Sequence, residues 1–265
     1  MINFKFIVNK DYLALNMIEF NFFDKEYLDY LWEKYNDEYK DVLHNFSNYL
    51  NSNKEKKLLT ELKKNSKFKE ELLKTKQNAI RIEKNLNTYK DKIDKTIKEL
   101  CKIDLKLPLQ KVYIVKLGGL NFGNNRILWG NINGYSDPYY DLVYLYHEAL
   151  HSFFEQYKKS KNIQDKKFDH ILIQYLTDII LAYKLGGKRY GTHDHLEKLE
   201  IKLFPILKKY FKNLGKWAYP KDTIIKDRTS FKNLDFKNII DLYNWLLKNK
   251  ELIDNISVKR KIEIK

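Results

Sequence analysis

The segment Asp137-Pro138-Tyr139-Tyr140-Asp141-Leu142-Val143-Tyr144-Leu145-Tyr146-His147-Glu148-Ala149-Leu150-His151-Ser152-Phe153-Phe154 opens on a helix-start signal and closes on an aromatic pair. An Asp at the N-cap with Pro at the first helical position predicts a helix from about Tyr139 to Lys158. Apolar residues fall on nearly every side of it, the pattern of a buried helix. Within it, His147-Glu148-Ala149-Leu150-His151 fits HExxH. Four residues apart on a helix, the two imidazoles lie on one face and can reach one tetrahedral zinc ion. Glu148 points about a quarter turn away, towards a water activated by the metal, which makes it the candidate general base. Two His and a Glu are costly to bury without partners, and a metal supplies one.

Outward from this helix the pattern changes on both sides. Lys111–Leu117 and Arg126–Ile132 are β-branched and aromatic and are expected as strands. Gly118-Gly119 and Gly123-Asn124-Asn125 between them are expected as turns. Downstream, Phe168–Leu185 predicts a long apolar helix stopped by Gly186-Gly187, and further helices are expected over His193–Asn213 and Phe236–Asn249. Upstream, Lys54–Lys76 and Asn78–Cys101 carry helical periodicity. The expected fold class is therefore α+β and mainly helical, with a helical N-terminal subdomain over 1–107 and a catalytic domain over 108–265.

The order of two strands, an HExxH helix and a second apolar helix resembles the zincin metallopeptidases, in particular the gluzincin group. The resemblance covers roughly Lys111 to Gly187. It implies a zincin-like core, one catalytic zinc, peptide-bond hydrolysis of a peptide or protein substrate, and an edge strand that binds substrate in extended form, which would be Arg126–Ile132 with its free backbone groups. It also implies a third ligand from the second helix. Asp178-Ile179-Ile180-Leu181-Ala182-Tyr183 best matches the segment that a ligating Glu opens in that group, which places Asp178 at the metal with His147 and His151. The match departs from the family pattern: Ile179 stands where Gly is expected, and Ala182 is displaced by one. His170, Gln174 and Asp178 share a face at four-residue steps, so His170 is the alternative ligand, with Glu155, Asp194 and the other His behind it. His193, Tyr190 and Tyr183 are candidates to donate a hydrogen bond to the oxyanion of the tetrahedral intermediate.

Composition narrows the alternatives. The lone cysteine, Cys101, excludes an internal disulfide and a thiolate metal cage, and its apolar setting reads as a small buried hydrophobe. The net charge of +15 rests almost wholly on Lys, with five Arg in the chain. Because bidentate phosphate and guanine recognition favours Arg, the charge argues for solvated lysine faces over a nucleic-acid surface. The N-terminus, Met1–Val8, has an apolar run too short for a signal-peptide core and no small-residue cleavage site, and no stretch approaches a membrane span, so a cytoplasmic protein is expected. Two other classes stay open from the sequence: a zinc-supported scaffold without catalysis, and a lysine-rich helical protein that binds nucleic acid.

Overall fold

A computed structural model describes residues 1–52, 56–121, 123, 125–130, 137–165, 167–191, 196–212, 214–218, 223–224, 234–256 and 259–260. In chain order the elements are β1 (Phe4–Ile7), α1 (Lys10–Glu19), α2 (Lys25–Asn51), α3 (Lys57–Leu62) and α4 (Ser66–Cys101). There follow β2 (Gln110–Ile114), β3 (Gly118–Asn121), β4 (Arg126–Gly130) and α5 (Tyr140–Lys161). Next come α6 (Phe168–Gln174), a π-helical stretch (Tyr175–Leu181) and α7 (Ala182–Gly186) without interruption. The chain continues through α8 (Glu197–Tyr210), a 3-10 turn (Lys216–Ala218), β5 (Thr223–Ile224), α9 (Ile239–Lys248), α10 (Lys250–Asp254) and β6 (Lys259–Arg260). The fold is α+β and mainly helical, with a small mixed sheet of order β1-β2-β4-β3 and a two-stranded β5-β6 pair. Among the described residues no helix is long and apolar enough to cross a membrane.

Two compact units divide the chain, and they do not follow the expected boundary at 107/108. One comprises Ile2–Thr88 with Pro108–Ser136; the other comprises Met1, Tyr89–Leu107 and Asp137–Lys265. The physical reason lies in β1. It pairs in parallel with β2, from Phe4 opposite Gln110 to Ile7 opposite Tyr113, and so joins the first helices to the strands a hundred residues on.

In that first unit, Leu13, Leu15, Met17 and Ile18 of α1 pack with Leu31 and Val42 of α2, Leu58 and Leu62 of α3, and Phe68 of α4. The fully buried Asn16 turns its amide onto Leu117, donating to its carbonyl at 2.8 Å and accepting from its N–H at 3.1 Å. This clamp sits past the end of β2, which stops at Ile114 although the apolar pattern continues to Leu117. Gly118-Gly119, expected as a turn, forms strand instead: Gly118 lies opposite Gly130 and Leu120 opposite Leu128 in an antiparallel ladder. As a result β4 is internal, parallel to β2 on one side and antiparallel to β3 on the other. The expectation that this strand offers free backbone groups to a peptide is therefore corrected over Arg126–Gly130. The sheet's edges are β1 and β3; residues 131–132 lie outside the described residues.

Gly130 shows how tightly this sheet closes. A Cβ there would meet the backbone of Leu117, Lys116 and Val115 at 2.5, 2.6 and 2.7 Å. Backbone cannot swing aside as a flexible side chain does, so Gly130→Ala is expected to cost about 3 kcal/mol. Gly191→Ala, where no described residue stands within 4 Å of the new methyl, should change stability by less than about 0.5 kcal/mol. Urea melts of the two variants check the pair; equal midpoints would refute the close contact.

In the second unit, α5 is buried along most of its length, from Asp141 to Phe154. Asp137 accepts from the Tyr139 N–H at 3.0 Å, closing the turn ahead of the helix, which begins at Tyr140. At the far end Asn162 takes the left-handed conformation at φ 53, which Asn tolerates better than most residues. Gly187 ends α7 in the same way, with φ 72 and its N–H on the Tyr183 carbonyl at 2.9 Å. Cys101 is fully buried, and burial pushes its thiol up to about 12, so it behaves as a small core hydrophobe.

Candidate metal centre

The centre is built on α5 and completed by the helix that packs along it. Tyr146 anchors one side of α5 through its hydroxyl on Asp94 Oδ1 at 2.8 Å. Near the C-terminal end, Lys158 forms a buried ion pair with Asp169 and donates to the Asp165 carbonyl at 3.0 Å. Asp165 in turn accepts from the Phe168 N–H at 3.0 Å and so closes the start of α6. These bonds fix the register of α6 against α5, and His170 sits on the first turn of α6.

There His170 meets the two motif histidines. One ring nitrogen each from His147, His151 and His170 lie within 4.8 Å of one another. His147 Nε2 and His151 Nε2 are 3.2 Å apart. The His170 ring centroid is 5.5 Å from that of His147 and 4.9 Å from that of His151. A zinc ion with bonds of about 2.0–2.1 Å to a tetrahedral set requires neighbouring nitrogens about 3.3 Å apart, and the His147–His151 separation meets that requirement. Three imidazoles suit zinc and the later first-row metals and not magnesium or calcium, which take oxygen.

Asp178 occupies a different place from the one expected for a ligand. Its carboxylate faces His147 Nδ1, with Oδ2 at 3.0 Å and Oδ1 at 3.2 Å. This is the ring nitrogen opposite the Nε2 that approaches His151. Thr177 Oγ1 lies 3.3 Å from the same Nδ1 while donating to the Ile173 carbonyl at 2.8 Å. A carboxylate on Nδ1 holds the proton there and leaves the Nε2 lone pair for a metal. Burial opposes the cationic form of His147. The Asp178 and Glu148 carboxylates outweigh that and raise its pKa above the usual value.

Glu148 is 7% exposed. Burial first, then the Asp178 and Glu155 carboxylates, raise its pKa, against the opposing pull of His147 and a hydrogen bond from Tyr144. A dication held by the three histidines would add to that opposing pull. Burial and the Glu148 charge push the Tyr144 hydroxyl well above the usual range, so it remains a donor to the carboxylate. Its ring lies nearly parallel to that of His147, at 7° and 6.1 Å.

The oxyanion candidates fare differently. The Tyr190 hydroxyl donates to Asp137 Oδ2 at 2.6 Å, and Tyr183 stacks on Trp217 at 3.9 Å. Both contacts anchor loops and helix ends. His193 and Asp194 lie outside the described residues.

Sequence reading missed Tyr144 and Thr177. Tyr144 was visible in principle, one turn before Glu148 on the same helix. Thr177 was not, because the backbone around it is π-helical, with i→i+5 bonding and a wider turn. No family model, curated protein or solved structure matches this chain.

Proposed function

We propose that the protein is a zinc-dependent hydrolase of the zincin type, acting on peptide bonds, with His147, His151 and His170 as ligands and Glu148 as general base. The observation that carries this reading is the convergence of three histidine nitrogens within 4.8 Å beside a buried glutamate on the HExxH helix. Three protein ligands leave a fourth position open, as catalytic zinc sites do and closed structural sites do not.

Zinc bound there supplies a Lewis acid that acidifies water and polarises a carbonyl. The chain's own residues do the rest. Asp178 and Thr177 orient the His147 ring. Tyr144 holds the Glu148 carboxylate, which takes the proton of the attacking water and returns it to the leaving amine. The resemblance to gluzincins supplies the peptide as substrate, and here a histidine on α6 replaces the carboxylate expected at the third position.

The test is metal analysis joined to hydrolysis. Purified protein is expected to carry about one zinc per chain and to cleave members of a random peptide library read by mass spectrometry. Chelation should abolish cleavage, and added zinc should restore it. His147→Ala and His151→Ala should each lose stoichiometric zinc. Full occupancy in both variants would remove the proposed centre.

A further inference from the structure

A cavity of about 1170 Å³ opens in the same unit as the histidine cluster, and α5 lines part of it. Glu155, one of its lining residues, stands four positions after His151 on α5. Four residues of helix rise about 6 Å, so the lining begins one turn beyond the motif. Phe168, at the start of α6, lines it two residues before His170. The cavity therefore shares both helices with the proposed metal site.

Its chemistry is cationic. Among the described residues, six of the fifteen that line it are lysines, against three acids. The chain as a whole holds 45 lysines in 265 residues, so lysine is more than twice as frequent here as the overall composition provides. Lys158 is spent on Asp169, and Lys202 donates to the Asp254 carbonyl. Lys159, Lys167, Lys198 and Lys250 are exposed and form no ion pair among the described residues. Of the acids, Asp165 already accepts from two backbone N–H groups and the Tyr243 hydroxyl. Glu155 and Asp254 cannot neutralise the four remaining ammonium groups. Ile163, Leu196 and Leu199 supply an apolar surface between them.

From this we infer that the cavity binds an acidic peptide, with Lys159, Lys167, Lys198 and Lys250 engaging its carboxylates. As the substrate-binding cleft of the enzyme, this rests on the hydrolase reading above. A peptide fits better than a nucleic acid for two reasons. Among the described residues no arginine lines the cavity, and bidentate phosphate recognition favours arginine. Among the described residues Phe168 is the one aromatic in the lining, and it is 4% exposed, which offers no stacking platform for bases. An extended chain advances about 3.3 Å per residue. A peptide whose scissile bond lay at the histidines would thus reach the first lysines within a few residues.

The experiment measures binding and cleavage separately. Fluorescein-labelled hexaglutamate is titrated with the full-length protein by anisotropy, with hexalysine and a single-stranded oligonucleotide of matched charge as competitors. Hexaglutamate should bind, weaken as salt rises from about 0.05 to 0.3 M, and resist competition by hexalysine. The double variant Lys198→Glu/Lys250→Glu should lose affinity by about tenfold or more. Lys92→Glu/Lys95→Glu, exposed on α4 away from the cavity lining, should leave it unchanged. Circular dichroism confirms that each variant is folded. Equal loss in both double variants would reduce the effect to net charge and overturn the site. Tighter binding of the oligonucleotide would overturn the peptide assignment. The Glu148→Gln protein separates the two claims. It should bind hexaglutamate as the unaltered protein does, so binding without hydrolysis in every form would remove the hydrolase reading while leaving the acidic-peptide site in place.

Discussion

Glu148→Gln is expected to keep about one zinc per chain and to lose peptide hydrolysis by on the order of 10²- to 10⁴-fold, the usual contribution of a positioned general base. The substitution is nearly isosteric. The Gln amide oxygen can still accept from Tyr144, which contacts Glu148 in the structure, so the local packing survives. What disappears is the ability to take a proton. Zinc should be retained because the three converging atoms are histidine nitrogens and none belongs to Glu148. A loss confined to kcat/KM and kcat together, with substrate binding unchanged, marks an interaction made in the transition state. Metal analysis and steady-state rates on the best-cleaved library peptide decide the matter. Loss of zinc in this variant would reassign Glu148 to the metal, and undiminished hydrolysis would remove it from the reaction.

Much of this centre was legible because its signal is local. His147, Glu148 and His151 lie within five residues on one helix, so the period of the helix alone places them. The helical character of Phe168–Gly186 and its glycine stop were equally local. What escaped depends on distant partners or on a change of period. Phe4–Ile7 is a strand because β2, a hundred residues on, offers it a ladder. Gly118-Gly119 forms strand because β4 pairs with it, although glycine itself favours turns. The two units are interleaved along the chain for the same reason, and no composition shift marks their limits.

The third member of the histidine cluster is the clearest instance. A face drawn at four-residue steps runs His170, Gln174, Asp178 and treats the helix as uniform. From Tyr175 to Leu181 the backbone is π-helical, so a step of four no longer returns to the same face. His170, on the regular α-helical turn before it, meets His147 and His151. Thr177 and Asp178, on the widened turn, meet the back of the His147 ring.

That division of labour carries a second large effect. His170→Ala should abolish stoichiometric zinc, because two imidazoles alone leave the ion half-coordinated by protein. Asp178→Ala should weaken zinc affinity by about ten- to a hundred-fold, the typical cost of losing the group that orients a ligating histidine. Asp178→Asn should fall between Asp178→Ala and the unaltered chain, since its amide oxygen can still accept from His147 Nδ1 but brings no charge. Competition against a chromophoric zinc chelator ranks all three variants, and circular dichroism checks that each is folded. The order itself is the test. If Asp178→Ala empties the site while His170→Ala merely weakens it, Asp178 is the ligand and His170 its support. The order expected here follows from one geometric fact: the His170 ring lies 4.9 Å from His151, whereas Asp178 lies against the His147 nitrogen that faces away from the cluster.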